Sequence, residues 1–336
     1  MKRRLVLALS LVFCLLYLCS CATFAQSLQV WAYDTLCTAK VWGGTNPSSV
    51  FSEAAAEGQN LISPKGDKQF YAQKAGDSLP LTEDLARILR QAEVLCEKTE
   101  GVFDLTVAPL SDLWDVNSAT EPPSSEAVGE VLSRVGWDKL IRTDSALIFP
   151  ERGMGIDIGS VGKGYGADKT VLALKAAGAE AGVLSFGGNV ALFGSVNGEP
   201  FRVGIRDPKG SAGETFGELR LTDTSVVTSG GYERFFDYEG TRYHHLLDAK
   251  TGYPRQSDLL SVTVACADGA QADLASTALW LMGEEKGLAL YEALCENPLF
   301  RPFDVIFLCE DGRVLVSDGL KDAFTLTSQN YRWEKP

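Results

Sequence analysis

Histidine is almost missing from this chain: its 336 residues include only His244 and His245. Any imidazole acid–base chemistry therefore falls to one of these two. The eight cysteines are scattered and form no C-x-x-C pair, which speaks against both a zinc site and a disulfide framework. There is no Walker A sequence, no G-x-G-x-x-G and no G-x-S-x-G, so P-loop, dinucleotide-fold and serine-hydrolase chemistry have no motif to stand on. Basic clusters are absent beyond Lys2-Arg3-Arg4, and 31 Lys+Arg against 44 Asp+Glu give a net charge of −13. Such a balance excludes a nucleic-acid partner, because phosphate backbones are held by Lys and Arg. A mononucleotide or dinucleotide ligand remains compatible, since local amides or a metal hold its phosphates. No internal repeat or low-complexity tract occurs. With 45% hydrophobic and 22% charged residues, disorder, collagen and coiled coil are excluded.

What is present begins with an export signal. Lys2, Arg3 and Arg4 precede an apolar run from Leu5 to Leu18, followed by small residues. That order is expected of a secretory signal over residues 1–20, and the run is too short for the roughly 20 residues of a membrane span. Leu18-Cys19-Ser20-Cys21 resembles a lipobox, which makes Cys21 the lipidated first residue of the mature chain; cleavage after Ala25 is the alternative. Loss of residues 1–20 removes three positive charges and no negative one, leaving −16. The expectation is an exported protein, residues 21–336, anchored by lipid to a bacterial membrane on its periplasmic or extracytoplasmic face. The five remaining cysteines are expected as buried free thiols.

Apolar alternation predicts a strand within Ser27–Gly43, and residues 44–80 read as loops with short helix. A helix is predicted over Thr82–Thr99, with Thr82 as its cap and Leu85, Ile88, Leu89, Ala92 and Leu95 as its stripe. Further helices are predicted over Ser125–Val135, Gln271–Leu281 and Glu284–Cys295, and a glycine-rich loop runs into a helix over Gly155–Lys175. Strands are predicted at Leu147–Phe149, Gly182–Phe193, Phe201–Arg206, Glu218–Leu221, Ser225–Thr228, Glu233–Tyr238, Leu260–Ala265, Asp304–Leu308 and Arg313–Ser317, with turns at Asn197-Gly198 and Glu239-Gly240. Strands outnumber regular β–α alternation, so the fold class is α+β.

Five segments carry chemistry. Asp157-Ile-Gly-Ser-Val-Gly-Lys163-Gly-Tyr-Gly-Ala-Asp168 feeds a helix; it reads equally as a phosphate cradle or a glycine-rich turn. Asp273 and Thr277 lie one helical turn apart, suited to a hard cation such as Mg²⁺; alone, Asp273 reads first as an N-terminal helix acid. In Tyr243-His-His-Leu-Leu-Asp248, a histidine oriented by Asp248 competes with two surface histidines before a turn. Phe103 to Trp114 either holds a flat heterocycle or is a core strand with a packed Trp. Ser185-Phe-Gly-Gly-Asn189 reads as a strand ending where a ligand or another backbone comes close.

Taken together and in order, FDLTVAPLSDLW, DIGSVGKGYGADK, SFGGNV, FRVGIRDP, VVTSGGYERFF, YHHLLDAKTGYP and SVTVACADGAQADLASTAL resemble the ApbE family of FAD:protein FMN transferases. The resemblance covers roughly residues 100–283. It implies a Mg²⁺-dependent enzyme that takes FAD as substrate, releases AMP and attaches FMN through a phosphoester to a Thr or Ser of an exported or membrane redox protein. Hydrolysis of FAD to FMN and AMP, and flavin binding without turnover, are the alternatives. The implied fold is a tandem β-sheet, T-fold-like core with flanking helices in one domain over residues 21–336, with a division into two subdomains as the alternative. By resemblance, Asp273, Thr277 and the carbonyl of Ser160 are metal ligands. Tyr33, Val102, Phe103, Asp104, Asp157, Lys163 and Leu247 are FAD contacts, with Tyr71 a candidate on the adenine side, and His245 is the candidate base. Three places depart from the family pattern: Tyr33-Asp34-Thr35 replaces Met-Gly-Thr, Ala249 replaces the Pro of Asp-Pro-x-Thr-Gly, and the family's Ser-Glu and Leu-Asn pattern is only faint at Asp67 to Lys74.

Overall fold

The computed structural model describes residues 25–62 and 67–334. The expected signal at 1–20 and the expected lipidation site Cys21 lie outside them. Nine strands, numbered β1–β9, form the main sheet in chain order. They are β1 Gln26–Ala32, β2 Thr35–Gly43, β3 Ala179–Phe186, β4 Asn189–Phe193 and β5 Ser225–Ser229, then β6 Leu259–Cys266, β7 Phe303–Cys309, β8 Arg313–Val316 and β9 Arg332–Glu334. Neighbours are antiparallel except β8 and β9. An antiparallel meander with helices grouped against it is the α+β architecture that the sequence predicts.

Among the described residues six helices accompany it: α1 Pro47–Gly58, α2 Glu83–Lys98, α3 Ala108–Trp114, α4 Ser125–Leu132, α5 Gly162–Ala176 and α6 Gly269–Cys295. The main sheet is covered on both faces. Beneath it, Leu28, Cys37, Ala39 and Phe186 pack with Phe51 of α1 and Leu174 of α5. Farther along the same layer, Val262 and Val264 of β6 join Leu274 and Ala278 of α6 and the stripe of α2. Above it, Leu192, Val226, Ala265 and Ile306 meet a small sheet of Phe201–Arg206, Thr215–Leu221 and Phe324–Leu326. A strand buried on both faces is largely apolar; β6 is so apart from Ser261 and Thr263, and the Thr263 hydroxyl pairs with that of Thr228 at 2.9 Å.

Several predicted elements hold in detail. The Thr82 side chain accepts the Leu85 N–H at 3.2 Å, and all five stripe residues of α2 are buried. The break between the two C-terminal helices is at Gly283, whose φ of 77° only glycine adopts without strain. Others differ. The segment Ser27–Gly43 is a hairpin turning at Tyr33-Asp34, both at φ 55°, and Gly182–Phe193 is a second hairpin turning at Gly187-Gly188. Alternation continues through a two-residue turn, so periodicity alone does not reveal either. Phe103–Trp114 is not a core strand. Asp104 caps a short 3-10 turn over Leu105–Val107 by accepting the Thr106 N–H at 2.7 Å, and Pro109 in the first turn then starts α3. The packed Trp is correct: Trp114 is fully buried and donates from Nε1 to the Gly252 carbonyl at 2.8 Å. The five described cysteines are all unpaired, but Cys295 is exposed and Cys96 half-buried.

Candidate active site

The first half of α6 is buried on every side, yet it carries Gln271, Asp273, Ser276 and Thr277. Buried polar residues in such a helix need partners. Asp273 Oδ2 accepts the Gly164 N–H of α5 at 3.0 Å, and Thr277 Oγ1 donates to the Asp273 carbonyl at 3.2 Å. Ser229 of β5 lies 3.3 Å from the Thr277 hydroxyl and 2.9 Å from that of Ser276. Among the described residues Asp273 Oδ1 has no protein donor. The N-terminus of α6 is capped by Asp268, so Asp273 in the second turn is not the helix-terminal acid. Asp168 of α5 accepts the Gly269 and Ala270 N–H groups at 3.0 and 3.1 Å and fixes the two helices together. Burial, and then the Asp268 charge, push the Asp168 carboxyl up to about 7. The helices approach closely because Gly164 has no side chain; a Cβ there would collide with the Gly269 carbonyl.

The loop ahead of α5 is ordered by Asp157, which accepts the Gly159 N–H at 2.7 Å and the Gln69 amide at 3.2 Å. It presents Gly159, Ser160, Gly162 and Lys163 to a cavity of about 1290 Å³. Tyr33, Phe103, Asp104, Asp157, Ser160, Lys163, His245, Leu247, Asp273 and Thr277 all line that cavity, as does Tyr71. Val102 does not. It faces a separate hollow with Lys98 and Arg255, and its carbonyl accepts the Ala249 N–H at 3.1 Å.

Asp104 borders the cavity, but its carboxylate is committed to the Thr106 amide and hydroxyl, the Trp137 N–H at 2.8 Å and the Cys96 thiol. Burial raises its pKa, while those donors oppose the rise. Tyr33 fits its position through two glycines. Its phenol lies where a Cβ on Gly166 would stand, a Cβ on Gly58 would come within 2.8 Å of its hydroxyl, and that hydroxyl donates to the Ala55 carbonyl at 3.2 Å. Burial pushes that phenol far above its ordinary value, so Tyr33 acts as a neutral wall.

The two histidines part company. His244 is buried edge-on to Trp280 at 5.1 Å, accepts the Leu246 N–H at Nδ1, and is pushed down to about 4 by burial. His245 lines the cavity with Nδ1 at 3.2 Å from the Arg234 carbonyl. A carbonyl only accepts, so Nδ1 carries the proton and Nε2 keeps a free lone pair. Desolvation and then the Arg234 charge hold its pKa well below the ordinary histidine value. It is neutral at pH 7 and competent to take a proton. Asp248 does not orient either ring. It is tied to Arg255 at 2.8 Å and to the Lys250 and Thr251 N–H groups, because its loop turns away from the histidines after Leu247.

Asn189, Thr228, Ser229, Glu233 and Arg234 also line the cavity; of these only Asn189 falls in a segment that the sequence marks as approaching a ligand. Three of them had a positional signal, since Asn189 opens β4 after Gly187-Gly188 and Thr228 and Ser229 end β5 before Gly230-Gly231; Glu233 and Arg234 lie in the bend that follows. Burial raises Glu233, with Lys163 opposing it. Lys163 makes no ion pair among the described residues. Asp273, Thr277 and the Ser160 loop supply oxygen donors of the kind hard cations take. No group of three or more His, Cys, Asp or Glu that could hold a metal occurs among the described residues.

Fold and site together define an α+β protein in which a glycine-rich loop, the first turn of α5 and the Asp273–Thr277 face of α6 wall a cavity of dinucleotide size. Residues 34–298 match the ApbE family, and the chain belongs to it. It is 30% identical over 281 residues to the FAD:protein FMN transferase of Treponema pallidum, covering 79% of this chain and 76% of that one. To the FAD:protein FMN transferase of Escherichia coli K12 it is 29% identical over 266 residues, 73% and 76% of the two chains. The ApbE protein of Thermotoga maritima superposes with a TM-score of 0.72 at 27% identity, covering 89% of this chain and 99% of that one. The flavin transferase ApbE from Vibrio cholerae shares the fold, with a TM-score of 0.73 at 24% identity.

Proposed function

We propose that this chain is an FAD:protein FMN transferase that works with Mg²⁺. The observation that carries the reading is convergence. Asp157, Ser160, Lys163, His245, Asp273 and Thr277 come from three distant segments and line one cavity. That cavity exceeds the roughly 300–1,000 Å³ of ordinary small-molecule sites, leaving room for a dinucleotide and an entering side chain. Asp273, the Thr277 hydroxyl and the Ser160 carbonyl would hold the cation, which when bound offsets charge on a pyrophosphate. Lys163 adds a positive charge at the same loop. Tyr33, Phe103, Asp157 and Leu247 would enclose FAD, with Tyr71 toward the adenine.

The reaction is a phosphoryl-group displacement. The hydroxyl oxygen of an acceptor Thr or Ser bonds to the phosphorus of the FMN half, and the bond to the AMP oxygen breaks. Nε2 of His245 takes the hydroxyl proton, and AMP leaves with the bonding electron pair. The acceptor would be an exported or membrane redox protein. The chain itself would be exported and held at a membrane through lipid on Cys21.

Incubating the purified full-length protein with FAD, Mg²⁺ and a Thr-bearing acceptor tests the reading. The expected result is an FMN-sized gain in acceptor mass with equal AMP. Steady AMP release without acceptor would make water the acceptor and the protein an FAD pyrophosphatase. FAD binding with no AMP under any condition would remove the enzymatic reading.

A further inference from the structure

Asn189 opens β4 directly after the Gly187-Gly188 turn. It is 4% exposed, it lines the cavity, and its Nδ2 has no hydrogen-bond partner among the described residues. A buried amide donor left without a partner is costly, so its presence beside a ligand cavity calls for an acceptor that arrives with the ligand. The turn is built to put it there. Gly187 at φ 58° and Gly188 at φ 96° reverse the chain within two residues. Gly187 also packs so near Thr35 of β2 that a Cβ would lie 2.9 Å from the Thr35 methyl. Two hairpin tips, Tyr33-Asp34 and Gly187-Gly188, thus meet at the cavity wall.

The register locates the amide further. Cys37 of β2 pairs with Phe186 of β3, and Phe186 pairs with Asn189 of β4. Cys37 and Phe186 belong to the layer beneath the sheet, against α5. Lys163 in the first turn of α5 is near enough to Cys37 for its charge to act on the thiol. Lys163 and Asn189 therefore approach the cavity from the same end, one from the helix and one from the sheet. With a lysine there and Thr228 and Ser229 next along the wall, the missing acceptor is an anionic oxygen.

We infer that Asn189 is a positioning residue whose side-chain amide donates a hydrogen bond to a pyrophosphate oxygen of the nucleotide substrate. The inference rests on the flavin-nucleotide reading of the cavity and assigns the end of the ligand that this wall holds. Its test separates phosphate from flavin. Affinities for FAD, for ADP (pyrophosphate without flavin) and for riboflavin (flavin without phosphate) are measured with Mg²⁺ for wild type, Asn189→Ala and Asn189→Asp. Loss of a hydrogen bond to a charged group should weaken FAD and ADP binding about ten- to a hundredfold in Asn189→Ala. Asn189→Asp should weaken both more, because it keeps the shape and adds repulsion, and riboflavin should bind all three proteins alike. Weakened riboflavin with unchanged ADP would overturn the inference in favour of a flavin contact. Unchanged affinities with a lowered unfolding midpoint would make Asn189 a core amide and also overturn it. A wild-type protein that binds neither FAD nor ADP would overturn the underlying reading instead.

Discussion

The carboxylate of Asp273 on α6 accepts the backbone N–H of Gly164 on α5 at 3.0 Å. One oxygen thereby fastens two helices while the other has no protein donor among the described residues. Fold and proposed chemistry can be separated at this residue. In Asp273→Asn the amide oxygen can still accept the Gly164 N–H, but the charge is gone. Turnover of FAD with Mg²⁺ should fall by about a hundredfold or more, since even indirect metal contacts are worth roughly 10–100-fold. The urea midpoint should stay near that of wild type. Asp273→Ala should lose both activity and stability. AMP release and urea titration of the two variants decide this; full activity in Asp273→Asn would remove the residue from cation binding.

Gly164 itself offers a purely steric test. A Cβ at this position meets the Gly269 carbonyl and the Ala270 nitrogen, which are backbone and cannot swing aside. Gly164→Ala should force α5 and α6 apart at a cost of about 1–3 kcal/mol, read as a lowered denaturation midpoint. Gly129 is a control, because nothing lies within 4 Å of a Cβ built there. It sits inside α4, where Ala is the better helix former, so Gly129→Ala should stabilise by about 0.5–1 kcal/mol.

These two residues also show what a sequence can carry. The helical spacing of Asp273 and Thr277 was readable because 3.6-residue periodicity puts them on one face. The Gly164–Asp273 bond was not, since it joins residues far apart in the chain. The stripe of α2 was readable for the first reason. The Tyr33-Asp34 turn was missed because two non-glycine residues adopt positive φ there, which composition does not announce. Asp248 was misplaced for a related reason. Its partner, Arg255, lies across a tight turn, whereas His245 is near it only along the sequence. Asp104 looked available for a ligand because its four donors come from Cys96, Thr106 and Trp137, which only the fold assembles.

His244 makes stability depend on pH with a definite sign. Its pKa is about 4 in the folded protein, against 6.5 ordinarily. As pH falls through 6.5 the unfolded chain gains a proton that folded His244 refuses, so stability drops until about pH 4. Gln at 244 does not titrate and can still accept the Leu246 N–H. Urea midpoints at pH 7 and pH 5 should therefore differ less in His244→Gln than in wild type. An equal pH difference in both proteins would show that His244 does not contribute it.

His245 governs rate rather than stability in the proposed mechanism. Desolvation and the Arg234 charge favour its neutral form, the form that accepts a proton at Nε2. Turnover should hence be flat on the acid side of neutrality and decline only well below the ordinary histidine value of about 6.5. His245→Gln keeps a donor for the Arg234 carbonyl but has no basic nitrogen. Loss of a general base costs about 10²–10⁴-fold, so this variant should be slow by that range and should lose the acid limb altogether. Arg234→Ala removes the nearby charge, leaves the carbonyl in place and should shift the acid limb of a still active enzyme toward higher pH. A wild-type limb centred at or above 6.5, or a His245→Gln enzyme that retains the limb, would assign the proton transfer to another group.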